Sequence, residues 1–128
     1  MKLFSRITVA IKRGDRYLII PKNEEKVMWG FPHEIFEEAL NGNLNDTLKR
    51  ILENVVTDVR QSTNKLDYLG AIIKKDEDSI FIDYSFLLDG LGVSIKAKNF
   101  KWVERNELRT FELDSNTSTF LKVNKDFL

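Results

Sequence analysis

The chain has 128 residues, and its 20 basic residues balance its 20 acidic ones, so no overall field draws it to nucleic acid or to an anionic membrane. It contains no cysteine, which excludes disulfides, thiolate metal sites and cysteine nucleophiles. A chain of this length buries roughly two thirds of its extended surface, and we expect residues 1–128 to form a single domain.

From the pattern of residues 1–6 we expect neither a targeting signal nor a membrane segment. Residues 1–6 lead into alternating residues rather than an apolar run. No segment approaches the roughly 20 apolar residues that span a bilayer. We therefore expect a cytoplasmic protein without a membrane partner.

The first elements in chain order are the two strands of a β-hairpin. Ile7–Ile11 and Tyr17–Ile20 are rich in residues that favour β-strands, and the Gly-Asp pair at 14–15 between them supplies a turn. Pro21 ends the second strand because it has no backbone N–H to donate. Residues 22–26 are polar, and we expect them to form a loop.

An amphipathic helix is predicted next. After Pro32 the sequence is irregular until Asn43 or Asn45, either of which can cap a helix with Asp46 in its first turn. Apolar residues then recur at three- and four-residue intervals, namely Leu44, Leu48, Ile51, Leu52, Val55, Val56 and Val59. This spacing is typical of a helix that packs on a core.

The second half of the chain predicts three strands and a terminal helix. Leu66–Ile73, Ser79–Leu88 and Ile95–Val103 have the composition of strands, and residues 104–108 are predicted to form a short helical turn. Ser115 can cap the terminal helix. The order of elements predicts an α/β (α+β) fold with a mixed β-sheet sandwiched between helices.

Several segments resemble the Nudix superfamily. Trp29-Gly30-Phe31-Pro32 resembles the start of the Nudix motif, and Tyr68-Leu69-Gly70, Phe100-Lys101-Trp102-Val103 and Glu107-Leu108 follow in the order that such domains use. In that family a Gly-Gly pair, an acidic loop and a helix of sequence Arg-Glu-Leu-x-Glu-Glu-x-Gly complete the motif. The resemblance covers nearly the whole chain and implies a Nudix-like fold.

The predicted helix departs from the family motif. Residues 49–56 are Lys-Arg-Ile-Leu-Glu-Asn-Val-Val. If Arg50 were the motif arginine, two of the three metal-ligand positions would fall in the apolar stripe. If Lys49 is the equivalent, those positions fall on Arg50, Glu53 and Asn54, at i, i+3 and i+4 on the polar side. Helical phase therefore favours the second register.

These substitutions oppose the metal chemistry that the resemblance implies. In the family, clustered glutamates hold Mg²⁺ or a similar hard cation, which polarises a diphosphate. Only Glu53 remains in this chain. The side chain of Arg50, about 5 Å from a divalent ion, would repel it by roughly 6 to 7 kcal/mol at an effective dielectric of about 20. We therefore expect a non-catalytic domain with no cofactor.

A divergent enzyme is the alternative. Glu34, Glu37 and Glu38 precede the helix and could join Glu53 in a rearranged set of carboxylates that binds Mg²⁺ or Mn²⁺, with one carboxylate acting as base. Such an enzyme would be a Nudix-type pyrophosphohydrolase that cleaves a nucleoside diphosphate linked to another moiety. Solvated surface acids are the simpler interpretation of this run.

The preferred hypothesis is a module that binds a nucleotide or phosphometabolite, or another protein. The two cations of the helix could hold a phosphate by charge-assisted hydrogen bonds, and Trp29, Phe31 and Phe36 could form a surface on which a nucleobase stacks. The chain's only histidine could donate to a phosphate. Simpler alternatives are that the aromatic residues pack in the core, that the histidine is an ordinary loop residue and that the two cations lie on a solvated helix face. The candidate ligand-binding residues are Trp29, Phe31, His33, Lys49, Arg50, Glu53 and Asn54.

The sequence gives no specific signal for nucleic acid. Lys96, Lys98 and Lys101 alternate along a predicted strand but lack the clustering and aromatic interleaving of such surfaces. Exposed strand edges and the family resemblance are compatible with a homodimer. A nucleotide or a phosphorylated small molecule is the partner that we expect.

Overall fold

The computed structural model describes residues 2–36 and 43–128. Its helices are α1 (Leu44–Val55), α2 (Val59–Thr63) and α3 (Ser115–Val123), with 3₁₀ helices at Arg105–Thr110 and Lys125–Phe127. Its strands are β1 (Lys2–Arg13), β2 (Arg16–Pro21), β3 (Met28–Gly30), β4 (His33–Phe36), β5 (Leu66–Lys75), β6 (Ser79–Asp89), β7 (Lys101–Glu104) and β8 (Glu112–Leu113). No helix in the two described ranges is both long enough and apolar enough to span a membrane.

The strands form one mixed sheet around β1. β1 forms a parallel pair with β6 from Lys2 to Lys12. At its other edge it forms antiparallel pairs, first with β4 and, further along β1, with β2. The strand order is β5-β6-β1-β2-β3-β8, and β7 also pairs with β2. The parallel β1–β6 pair requires a long connection, and that connection includes α1 and α2.

Helices cover the sheet on both faces. Side chains alternate along its strands, so each face carries apolar side chains that a helix can bury. One core joins α1 to the sheet and includes Ile7, Val9, Ile11, Leu18, Phe36, Leu48, Ile51, Leu52, Val55, Phe86 and Leu88. The other core joins α3 and the longer 3₁₀ helix to the sheet and includes Ala10, Tyr17, Ile19, Trp29, Phe31, Val103, Leu108 and Phe120. The predicted fold class, a mixed sheet sandwiched between helices, is confirmed.

The predicted helix is present but shorter than its apolar stripe. Asn43 is its N-cap, because the side-chain oxygen of Asn43 accepts a hydrogen bond from the backbone N–H of Asp46 at 2.9 Å. The helix ends at Val55 because the next residue is extended. Val59, which continued the predicted stripe, belongs to the separate helix α2, which Asp58 caps.

Three other expectations are corrected by the structure. The irregular stretch expected after Pro32 contains β4, which is held by pairing with β1 rather than by its own four-residue pattern. The strand predicted from Ile95 begins only at Lys101, and Ile95 itself makes an isolated bridge to Val56. Asp114, not the predicted Ser115, caps the terminal helix.

The helical phase of α1 can be tested with two neighbouring alanine substitutions. Leu52 is 1% exposed, so Leu52→Ala should lower the free energy of unfolding by about 3 kcal/mol through loss of packing. Glu53→Ala, at an exposed position, should change it by no more than about 0.5 kcal/mol. Urea denaturation followed by circular dichroism measures both values. Equal effects would contradict this rotation of α1.

Candidate functional site

The outward face of α1 carries four of the candidate residues. Lys49, Arg50, Glu53 and Asn54 are all exposed, whereas the apolar stripe of the same helix is buried. The arrangement follows from the 3.6-residue repeat of the helix, since the stripe occupies the side that meets the sheet. These four side chains therefore share the polar side of α1, which we call the α1 polar face.

Arg50 is held on this face by Glu34 of β4. Its Nε and Nη2 donate to Oε1 of Glu34 at 3.1 and 3.0 Å, and Nη2 also donates to Oγ1 of Thr47 at 3.1 Å. The two charged side chains are 44% and 34% exposed, so the ion pair contributes no more than about 1 kcal/mol of stability. Its main effect is to fix a guanidinium and a carboxylate against each other beside α1.

The α1 polar face does not fit a hard divalent cation. Mg²⁺ requires near-octahedral oxygen ligands, and here Arg50 contributes positive charge while pairing with Glu34. Glu53 is the one carboxylate left at the motif-equivalent positions. Within residues 2–36 and 43–128, no three Asp, Glu or His side chains gather as a metal site. Glu37 and Glu38, the further ligands expected in an active enzyme, lie outside the described residues.

The remaining candidates lie on the other side of the sheet. Trp29 and Phe31 belong to the α3-side core, where they are 7% and 0% exposed. The ring of Phe31 meets that of Phe120 edge-on at 5.4 Å between centroids. A ring that is fully buried offers no surface on which a nucleobase could stack, so Phe31 serves core packing in this arrangement.

The alternation of β4 separates His33 from the α1 polar face. His33 lies opposite Thr8 of β1, whose hydroxyl accepts a hydrogen bond from Asn116 of α3. Glu34 lies opposite Ile7, which belongs to the α1-side core. Successive residues of a strand point to opposite faces, so the candidate residues form two groups rather than one site.

His33 belongs to a polar cluster that the sequence analysis did not identify. The Nζ of Lys22 donates to the carbonyl oxygen of Phe31 at 2.6 Å and lies 3.1 Å from Nδ1 of His33. That nitrogen lies 3.7 Å from Oδ2 of Asp114. Burial lowers the pKa of Lys22 from 10.5 to about 8, against an opposing effect of Asp114. Burial and the charge of Lys22 likewise lower the pKa of His33.

The N-terminus of α3 lies against β3 and depends on a glycine. A Cβ added at Gly30 would lie 2.5 Å from Oγ1 of Thr117 and 2.6 Å from Oδ1 of Asp114. That threonine oxygen accepts from the backbone N–H of Phe31 at 2.9 Å, and that carboxylate oxygen caps α3. The glycine of the motif start therefore permits close docking of α3.

The space between α3 and the sheet is nearly filled. Nδ2 of Asn116 donates to Oγ1 of Thr8 at 2.7 Å, and Nδ2 of Asn124 donates to Oγ of Ser85 at 3.0 Å. The cavity left beside these contacts is about 10 Å³, enough for at most a single water. A nucleobase does not fit between α3 and the sheet in this arrangement.

A groove of about 540 Å³ runs between α1 and α2. This size falls in the range of about 300 to 1,000 Å³ that is usual for small-molecule sites. A depression of about 750 Å³ beside the 3₁₀ helix Arg105–Thr110 is larger, but no candidate residue lines it. The groove is lined by Asn45, Leu48, Lys49, Leu52, Val59, Arg60, Thr63 and Asn64, so it combines apolar walls with two cations and no acid.

Solved structures resemble this chain, although no family model and no curated protein sequence matches it. The solution structure of the E. coli ORF135 protein has a TM-score of 0.68 and 15% identity, and the match covers 99% of this chain and 91% of that one. The NUDIX domain of Shewanella oneidensis NrtR, complexed with ADP ribose, has a TM-score of 0.62 and 15% identity, covering 100% and 89%. The MutT NUDIX hydrolase from Burkholderia pseudomallei has a TM-score of 0.67 and 15% identity, covering 95% and 98%.

The polar cluster predicts a low titration midpoint for His33. Because burial and the charge of Lys22 lower the pKa of this single histidine, we expect the midpoint to lie below 6.5 in an NMR titration of its ring protons. Lys22→Met should raise the pKa of His33, and Asp114→Asn should lower it further, because the carboxylate favours the imidazolium.

The same lowered pKa makes the fold less stable in acid. As the pH falls below 6.5, the unfolded chain binds the proton of His33 before the folded protein does. This contribution to stability is therefore present above that pH and is lost progressively toward the folded-state pKa. His33→Gln should remove this part of the acid dependence, measured by denaturation at several pH values. An NMR titration midpoint of His33 at or above 6.5 would contradict the buried arrangement of this side chain.

Proposed function

We propose that this chain, which has the Nudix-like fold of the structures above, is a non-catalytic module that binds a nucleotide or another phosphorylated small molecule. The ion pair between Arg50 and Glu34 carries the proposal. A guanidinium occupies a position that holds a metal-binding glutamate in the family motif, and it repels a divalent cation. Because Glu34 pairs with this guanidinium, phosphate would be bound by Lys49 and Arg60 of the adjacent groove, directly rather than through a metal.

The groove between α1 and α2 supports this class of ligand. Lys49 and Arg60 line the groove and would pair with phosphate oxygens, while Leu48, Leu52 and Val59 would contact the organic part of the ligand. Lys49 also adjoins the guanidinium of the ion pair along the chain. The NUDIX domain of NrtR was solved with ADP ribose, a ligand that combines phosphate and organic parts in this way.

Ligand binding without metal is the first test of this proposal. ADP ribose, AMP and pyrophosphate, each added in EDTA at about ten times its Kd, should raise Tm by about 3 to 6 °C if it binds the folded protein. Lys49→Glu should abolish the shift, because it reverses the charge of a side chain that lines the groove, and Arg50→Glu should reduce it, because it places a carboxylate at the next position along the chain. Lys98→Glu, at an exposed lysine that does not line the groove, is the matched control and should retain it.

Two outcomes of this measurement would contradict the proposal. A Tm that none of the ligands changes would exclude the small-molecule role and leave a protein-interaction module. A shift that appears only with Mg²⁺ or Mn²⁺ would contradict metal-free binding. Each variant is compared with its own ligand-free Tm, because Arg50→Glu also places two carboxylates together beside Glu34.

A divergent pyrophosphohydrolase is the second candidate, and the position of Glu34 favours it. This carboxylate lies beside α1 although it is not part of the helix motif. If it were released from Arg50, it could act with Glu53, and Glu37 and Glu38 follow it closely in the chain. Turnover of ADP ribose with Mg²⁺ or Mn²⁺ that Glu53→Gln removes would establish hydrolysis in place of the non-catalytic function.

A designed return to acidic residues tests the assignment of the metal-ligand positions. Arg50→Glu combined with Asn54→Glu should produce Mn²⁺ binding with a Kd of about 1 mM or tighter by isothermal titration calorimetry, because three carboxylates then share the polar side with Glu34 nearby. Arg50→Glu combined with Lys49→Glu makes the protein more acidic but places one acid outside the register. Equal Mn²⁺ affinity in the two double variants would contradict the register.

A further inference from the structure

One edge of the sheet is formed by β5, which pairs with β6 and with no other strand in the described residues. An edge strand presents backbone N–H and C=O groups that can pair with another chain. On β5, Tyr68 is 57% exposed and Ile73 is 73% exposed. Two large apolar side chains are thus exposed on a strand of ten residues whose outer edge is paired with none of the described strands.

A bulge determines which side chains of β5 share a face. Tyr68 and Ile73 lie opposite β6 residues that face α1, although five positions separate them, because the pairing skips one residue between Tyr68 and Gly70. Asp67 and Lys74 lie on the other face, where the Nζ of Lys74 donates to Oγ1 of Thr119 in α3 at 3.1 Å. The bulge therefore lies between Tyr68 and Ile73 on one face and between Asp67 and Lys74 on the other.

We propose that β5 pairs with β5 of a second copy of this chain, in antiparallel and about a two-fold axis at Ala71. In the β5–β6 pairing the bulged residue Leu69 is skipped. If it is also skipped between the two copies, Tyr68 lies opposite Ile73 of the second copy. In the same register Asp67 lies opposite Lys74 of the second copy. The symmetry repeats both contacts, so the edge is complementary to itself.

The charges of the edge favour this register. A lysine on an edge strand usually prevents pairing with another chain. Here Lys74 meets Asp67 of the second copy, and an opposite-charge pair across two strands is stabilising. The aromatic side chain of Tyr68 beside the β-branched Ile73 is a second favourable type of cross-strand pair. A shift of the register by two residues would separate both pairs at once.

The contact is small, and this determines how the dimer behaves. Pairing along ten residues of one edge belongs to the lower end of specific interface sizes, so the dimer dissociates on dilution. The surface shares no residue with the α1 polar face or with the groove between α1 and α2. Its failure would therefore leave the proposed ligand-binding function unaffected, and failure of that function would leave the dimer unaffected.

Charge reversal followed by a double swap tests the register. Sedimentation velocity over a concentration series should show a monomer–dimer equilibrium for the wild type. Asp67→Lys and Lys74→Asp should each raise the dissociation constant about tenfold or more, because each makes two repulsive pairs by symmetry. The double variant restores both pairs and should return to within about threefold of the wild type. Lys98→Glu is the control and should leave the dissociation constant unchanged.

Three sedimentation results would overturn the proposal. A wild type that stays monomeric at all concentrations refutes the dimer, and a double variant that dimerises no better than the single variants refutes the register. If Lys74→Asp fails to fold through loss of its contact with Thr119, Ile73→Arg replaces it, because this side chain is largely exposed in the monomer. A dimer that survives Ile73→Arg would also overturn the proposal.

Discussion

Burial of the apolar stripe of α1 on the sheet determines which residues of this helix reach solvent. Ile51, Leu52 and Val55 are each at most 3% exposed, and full burial of such a side chain is worth about 1.5 to 3 kcal/mol. A rotation of α1 by one residue would forfeit several of these contributions. The ion pair between Arg50 and Glu34, worth no more than about 1 kcal/mol, cannot drive such a rotation. The core therefore places Arg50 outward.

The chemistry of the α1 polar face follows from this placement. A helix in the same position with three clustered carboxylates would attract a hard divalent cation and could polarise a diphosphate. With Arg50, Glu53 and Asn54 in those positions, the face has mixed charge, and Glu34 of β4 neutralises the guanidinium. These side chains are the basis on which we propose that phosphate is bound directly by the cations of the adjacent groove rather than through a metal ion. The difference arises from side chains and not from the backbone.

The sheet also separates two kinds of polar chemistry. On the α3 side, Lys22, His33 and Asp114 are partly buried and contact one another, and Asn116 fills the space next to Thr8. A buried network of this kind specifies how α3 docks, since an unpaired member would carry its full desolvation cost. On the α1 side, the cations are exposed and a groove is available. Of the two groups of candidate residues, the α1 group therefore adjoins a ligand-sized groove, whereas the buried cluster lines none of the cavities described above.

Local patterns in the sequence were sufficient for the hairpin, the strands β5 and β6, and the rotation of α1. Each of these depends on alternation or helical periodicity between near neighbours, which is visible in a short window. The polar character of Lys49, Arg50, Glu53 and Asn54 was likewise readable from helical phase. The point at which α1 ends was not readable in this way. Val59 continues the apolar spacing of the helix, although the chain is extended before it.

Only the tertiary structure decided which distant residues meet. β4 exists because β1 pairs with it, and Glu34 becomes the partner of Arg50 only when that strand lies beside α1. The separation of His33 from the α1 polar face also depends on this pairing, since a shift of one residue would exchange the two faces of β4. The sequence determined the periodicity and charge of each segment, because these are local properties. The fold determined the partners, because they come from segments far apart in the chain whose contacts no local pattern records.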